Sequence, residues 1–130
     1  MFLSRDKILA AQDLQTQEVP VPEWGGVVLV RGMTGAERDS FEASIMDMTG
    51  KERSINFQNM RAKLIAKCVI DEDGNRLFAD ADVEMLSDKS AAALNRVFEV
   101  AQKLCALTKD DMDELLKNSE TVQTEDSSSN

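Results

Sequence analysis

The chain has 130 residues and a mass of 14.4 kDa, 42% hydrophobic and 30% charged, which suffices for one buried core and not for two. It contains no histidine, and this excludes Ser-His-Asp and Cys-His catalysis, His-ligated zinc and histidine proton shuttles. A net charge of -9 opposes binding to phosphate backbones and anionic lipid, and leaves another protein as the expected partner.

Ser4 is placed to cap a short helix over residues 4–12, with Ile8, Leu9 and Ala10 as its apolar positions. The segment 17–24 alternates as an extended chain does. Its Pro20 and Pro22 lack amide protons, so it is an edge strand, a linker or an arm that adds to a partner's sheet. Gly25-Gly26 reads as a turn into the β-branched run Val27 to Arg31, and residues 24–31 read as one hairpin. The N-terminal extended or β segment is thus about 17–31.

Thr34 and Glu37 have capping-box spacing and predict a helix from Gly35 to about Met48, with Phe41, Ile45 and Met48 on its buried stripe and Gly50 ending it. After the polar connection 51–54, a second helix starts at Asn56 or Phe57 and carries Met60, Leu64, Ile65, Cys68 and Val69 on one face. Residues 71–75 form a turn, and 76–78 a short strand returning beside Val69 and Ile70. One or two helical turns hold Val83, Met85 and Leu86. Ser87 then caps a long helix over residues 91–107, whose Leu94, Val97, Phe98, Ala101, Leu104 and Cys105 recur at threes and fours. A last short helix after Thr108 bears Met112, Leu115 and Leu116.

The fold class is therefore α+β, mainly α: a single helical domain over 1–117 with short strands near its N-terminus, and a disordered acidic tail over 118–130. Residues 109–130 hold seven acids against two lysines, so five of the nine excess negatives lie there and the body is nearly balanced. No run approaches the roughly 18 apolar residues that cross a bilayer, and the N-terminus lacks the order of a signal peptide, which places the protein in the cytosol. Cys68 and Cys105, without CxxC spacing, read as small buried hydrophobes of a reducing compartment.

No motif carries chemistry. Asp71, Asp73 and Asn75 alternate as calcium ligands do, but the sixth and twelfth positions hold Arg76 and Asp82 in place of Gly and Glu. Residues 32–35 (GMTG) open a helix but lack the lysine of a phosphate loop and meet Glu37 instead. Lys51, Arg53, Arg61, Lys63 and Lys67 read as a solvated helix flank, with the Arg61 stem covering apolar surface. The acidic pairs Asp80 with Asp82 and Asp110 with Asp111 read as solvated. No catalytic, cofactor or metal residue is expected, and the 7 Met suit either core gaps or an adaptable peptide-binding surface.

Four strings resemble those of the tail assembly chaperones of long-tailed phages and prophages: residues 3–11 (LSRDKILAA), 18–26 (EVPVPEWGG), 28–39 (VLVRGMTGAERD) and 71–78 (DEDGNRLF). With the helical C-terminal half, the resemblance covers about residues 3–116. It implies a non-enzymatic protein of the host cytoplasm that binds the tape measure protein, keeps it soluble, helps recruit tail-tube subunits and is absent from the mature virion. It further implies a frameshifted longer form, for which Lys117-Asn118 is a candidate slip site, while the sequence leaves open whether the chain is a homo-oligomer. Trp24, Phe41 and Met60 are the candidate partner-binding residues, as large apolar groups. Two alternatives remain: a structural virion component such as a tail-terminator or head-tail connector subunit, and a small regulatory or toxin-neutralising protein.

Overall fold

The computed structural model describes residues 1–47, 54–55 and 59–107. Its elements are α1 (Arg5–Ala10), β1 (Thr16–Val21), β2 (Gly26–Arg31), α2 (Gly35–Ile45), β3 (Met46–Asp47), β4 (Ser54–Ile55), α3 (Met60–Cys68), β5 (Val69–Ile70), α4 (Val83–Ser87) and α5 (Ala91–Leu104). The mainly helical α+β class expected from the sequence is the one observed. The expected final helix at 108–116 and the tail at 118–130 lie outside the described residues, as do Met48 and Gly50.

β1, β2 and β5 form an antiparallel sheet in that order. Val19 opposes Val28 and Gln17 opposes Val30, so Val19, Val21, Val28 and Val30 point to one face while Glu18, Pro20, Val27 and Leu29 point to the other. The helices lie on the first face, where α5 packs on β1 and β2 and also against α3. Pro20 is tolerated because β1 is an edge strand, and the missing amide blunts that edge against further pairing. The hairpin is wider than the sequence suggested: the proline segment is itself a strand, and Trp24 lies in the connection between the two strands. The buried pair Val19 and Val21 supplies the reason, since pairing with β2 puts both into the core.

α5 carries the strongest apolar stripe, and it buries Ala93, Leu94, Val97, Phe98 and Ala101. Each of the three larger side chains contributes about 1.5–3 kcal/mol when removed from water. Leu64, Ile65 and Cys68 of α3 pack against this face, and Phe41 and Ile45 of α2, which packs on α3, complete the same core. Ser90, not Ser87, caps α5 by accepting the Ala93 amide at 3.3 Å. Ser87 ends α4 and donates its hydroxyl to the Val83 carbonyl at 2.9 Å. The serine three residues before the first buried position has the geometry of a cap, and the sequence offered two serines.

α5 stops at Leu104 and not at Leu107. Ala106 takes a left-handed φ of 55°, its amide donates to the Lys103 carbonyl at 3.1 Å, and the Leu107 amide donates to the Gln102 carbonyl at 2.8 Å. This is a Schellman turn with alanine where glycine is usual, and it folds Leu107 back into the core. α2 likewise ends early, at Ile45, and Met46–Asp47 pairs with Ser54–Ile55 as a two-residue ladder that sequence pattern did not indicate. α3 begins at Met60, after Asn59 in a left-handed conformation, and ends at Cys68, where Val69 leaves to join β2. The expected return strand at 76–78 is reduced to one bridge between Ile70 and Arg76. The Leu77 amide still donates to the Val69 carbonyl at 3.1 Å, and the pairing goes no further.

Candidate partner-binding surface

The position of Trp24 is set by local chemistry. Pro22–Trp24 makes one 3-10 turn, closed by Gly25 at φ 74° with its amide bonded to the Pro22 carbonyl at 3.1 Å. Glu23 is gripped by Nε of Arg96 on α5 at 3.0 and 3.1 Å. Its own backbone amide, and then Arg96, hold that carboxyl below its ordinary range. The turn is thereby tied to α5, and Trp24 is left half-buried at the rim of the sheet.

Opposite it stands a wall made by residues 76–89. Asp71 spends one carboxylate oxygen on its own loop, accepting the amides of Asp73 at 2.8 Å and Asn75 at 3.0 Å, which leaves a solvated turn in place of a calcium loop. Among the described residues no cluster of three metal-ligating side chains occurs. Arg76 donates Nε to the Ala66 carbonyl at 2.9 Å and Nη2 to Asp80 at 2.8 Å. Lys67, expected on a solvated flank, is only 5% exposed, and its ammonium lies 3.3 Å from the Ser40 hydroxyl and 3.4 Å from Asp80. Arg76 first, with Lys67 beside it, lowers the Asp80 carboxyl. These contacts pin the start of the wall, so that Leu77, Phe78, Met85 and Leu86 face Trp24.

The space between is a groove of about 620 Å³, with Asp82 and Lys89 at its margin. Leu77 is 52% and Met85 65% exposed, so most of their apolar surface gains nothing from the fold. A second, more polar groove of about 590 Å³ runs between the start of α3 and the start of α5, past Met60, Ala92, Leu94 and Asn95. Lys89 lines both, which makes them neighbours. On the adjoining surface Arg61 lies over the Phe98 ring at 5.5 Å, covering apolar surface as expected from its spacing. Of the rest of the expected basic flank, Lys63 donates to the Ser44 carbonyl at 2.9 Å, and Lys51 and Arg53 lie outside the described residues.

The N-terminal segment is a third apolar feature. Ser4 caps α1 as the sequence suggests, accepting the Lys7 amide at 3.2 Å, yet no residue of α1 is buried and Phe2, Leu3, Ile8 and Leu9 are all exposed.

The three side chains singled out from sequence separate in the structure. Trp24 and Met60 line the two neighbouring grooves. Phe41 is 1% exposed and belongs to the core, out of a partner's reach in this conformation. Leu77, Phe78, Met85 and Leu86 were not picked out, although Leu77-Phe78 directly after a charged turn was a usable signal. At the helix start at Gly35 the Thr34 amide donates to the Glu37 carboxylate at 3.0 Å and the Glu37 amide to the Thr34 hydroxyl at 3.1 Å, a capping box that puts a negative charge where an anion would have to sit.

A family model described as phage tail assembly chaperone matches residues 5–118. The chain belongs to the phage tail assembly chaperone family. Among solved structures, that of the bacteriophage HK97 tail assembly chaperone is similar in fold, with a TM-score of 0.54 and 17% identity over 76% of this chain and 90% of that one. No curated protein matches the chain significantly. Membership in this family implies interaction with tail proteins, and no helix among the described residues is long and apolar enough to cross a membrane.

Proposed function

We propose that this chain acts without catalysis in the host cytoplasm, binding the tape measure protein, keeping it soluble and helping to recruit tail-tube subunits before it leaves the finished particle. The observation that carries the reading is the pair of adjoining grooves, one walled by Trp24, Leu77, Phe78, Met85 and Leu86 and the other, more polar, running past Met60 and Leu94. An amphipathic helix needs such a trough, wide enough for i, i+3 and i+4 side chains and rimmed by charges that it can meet. Asp82 and Lys89 supply one charge of each sign at the margin.

The test is co-expression with the neighbouring tape measure protein, measuring how much of that protein stays in the soluble fraction. Wild type raises the soluble fraction and is retained in pull-down, and the Leu77→Glu, Met85→Glu double variant does neither. Equal solubility with and without the chaperone would overturn the reading, and stoichiometric copies in purified particles would replace it with a structural virion role. A longer frameshifted form is part of the same proposal. It requires a heptameric slip site in the nucleotide sequence near the Lys117 and Asn118 codons, with an overlapping frame beyond.

A further inference from the structure

Cys68 and Cys105 are 37 positions apart in sequence, at the end of α3 and just past the end of α5, yet their sulfurs lie 3.6 Å apart and both thiols are free. They are not equivalent. Cys68 is fully buried, whereas Cys105 is partly exposed and lines an opening of about 650 Å³ with Gly32, Met33, Lys103 and Asp13. The Met33 amide donates to the Cys105 sulfur at 3.3 Å. Arg38 of α2 donates to the Cys105 carbonyl at 3.4 Å, and the Arg31 to Glu37 pair stands close behind the sulfurs.

We propose that these two residues form an oxidisable dithiol, in which Cys105 first attacks hydrogen peroxide from solvent and Cys68 resolves the product as an intramolecular disulfide. The geometry sets the order, since only Cys105 meets the opening and only Cys68 stands behind it. The Cys105 thiolate is favoured by donation from the Cys68 thiol, then by the Met33 amide and Arg38, which together outweigh burial and the nearby Glu37 and draw its pKa below that of an ordinary thiol. Cys68 is pushed up by its hydrogen bond to Cys105 and by burial, so it stays a protonated donor.

The chemistry balances as follows. The Cys105 sulfur attacks one peroxide oxygen, the O–O bond breaks, and the departing hydroxide takes up a proton as water, leaving a sulfenic acid. The Cys68 sulfur then attacks the Cys105 sulfur, the S–O bond breaks, and the Cys68 proton leaves with the hydroxyl as a second water. Two thiols are oxidised by two electrons and one peroxide is reduced. The sulfurs must approach from 3.6 Å to the roughly 2.05 Å of a disulfide, a movement of about 1.5 Å.

The experiment treats the purified chain with hydrogen peroxide and follows mass and free thiols. Wild type should lose about 2 Da and both titratable thiols while remaining a single chain, and reductant should restore both. Cys68→Ala should stop at a dimedone-reactive sulfenic acid on Cys105, and Cys105→Ser should leave Cys68 unreacted. Should a variant fail to fold, iodoacetamide labelling of wild type with peptide mapping decides. Cys105 should react at least about tenfold faster than Cys68, with a rate that rises at lower pH than for an ordinary thiol. Two thiols surviving peroxide, a disulfide formed between chains, or Cys68 labelled first would each overturn the assignment.

Discussion

At the corner where β2 hands over to α2, Arg31 donates to both Glu37 oxygens at 2.7 and 2.9 Å and to the Gly32 carbonyl at 2.9 Å, while Glu37 also closes the capping box on Thr34. Gly32 lies against the end of α5 so closely that an added Cβ would stand 3.0 Å from the Leu104 carbonyl oxygen. Across the molecule, the wall at 76–89 is built from single turns, and Leu77 and Met85 point outward with no partner of their own. The first region invests charge, capping and close backbone contact in one geometry, and the second leaves apolar surface unused. Substitutions in the two regions should therefore fail in different ways, the corner through stability and the wall through binding.

The largest effect belongs to Glu37. Its carboxyl sits at about 2 in the fold against an ordinary 4.5, chiefly because of the paired guanidinium. A depressed acid stabilises the fold fully above its unfolded value, and the contribution is lost as pH falls through the folded one. The shift corresponds to about 3 kcal/mol, present above roughly pH 5 and gone near pH 2. Glu37→Ala should cost about 2–4 kcal/mol in urea unfolding at pH 7, since it strands a largely buried guanidinium and opens the cap. It should also flatten the fall in stability between pH 5 and 2. An unchanged acid limb would show that the pair is not what holds the corner.

Gly32→Ala comes next. The new methyl meets the backbone carbonyl of Leu104, which cannot swing aside as a side chain would, so either the end of β2 or the end of α5 must shift, at a cost of about 1–2 kcal/mol. Gly35→Ala serves as the control: its Cβ would meet nothing within 4 Å, and alanine at the helix start should be neutral or gain a few tenths of a kcal/mol. Equal effects from the two would remove close approach as the explanation. Ala106→Gly runs the other way. It relieves a left-handed alanine and should add up to about 1 kcal/mol, read as a higher urea midpoint at unchanged slope.

How far these features were legible in the sequence divides along the same line. The capping box and the strand at Val27 to Arg31 are set by neighbours in the chain, so pattern and spacing located them. The stripe of α5 was equally plain, because five buried positions repeat with helical period. Helix ends were less so: α2 and α5 stop early because Met46 and Leu107 are used elsewhere, in a ladder and in the core, and such competition is decided by tertiary contact. Lys67 shows the same limit, being a lysine on a charged helix flank whose burial depends on Ser40 and Asp80 arriving from two other elements. The proposed binding surface was half visible. Trp24 and Met60 stood out as large apolar groups, but so did Phe41, and nothing in composition separates a rim side chain from one in the core.

The smallest stability effect, and the sharpest contrast, is expected at the wall. Leu77→Glu and Met85→Glu replace side chains that are more than half exposed and so remove little buried area, and each should stay within about 0.5 kcal/mol of wild type in urea unfolding. Their carboxylates would instead face the groove beside Asp82, where two added negative charges oppose an apolar ligand and any acidic flank it carries. Soluble yield of the co-expressed tape measure protein should then fall while the chaperone's own folding is untouched. If the double variant unfolds in step with losing that activity, the wall is structural and the separation between corner and groove does not hold. If it stays folded and still solubilises the tape measure protein, the binding surface lies elsewhere, and the exposed face of α1 is the next place to put the same charges.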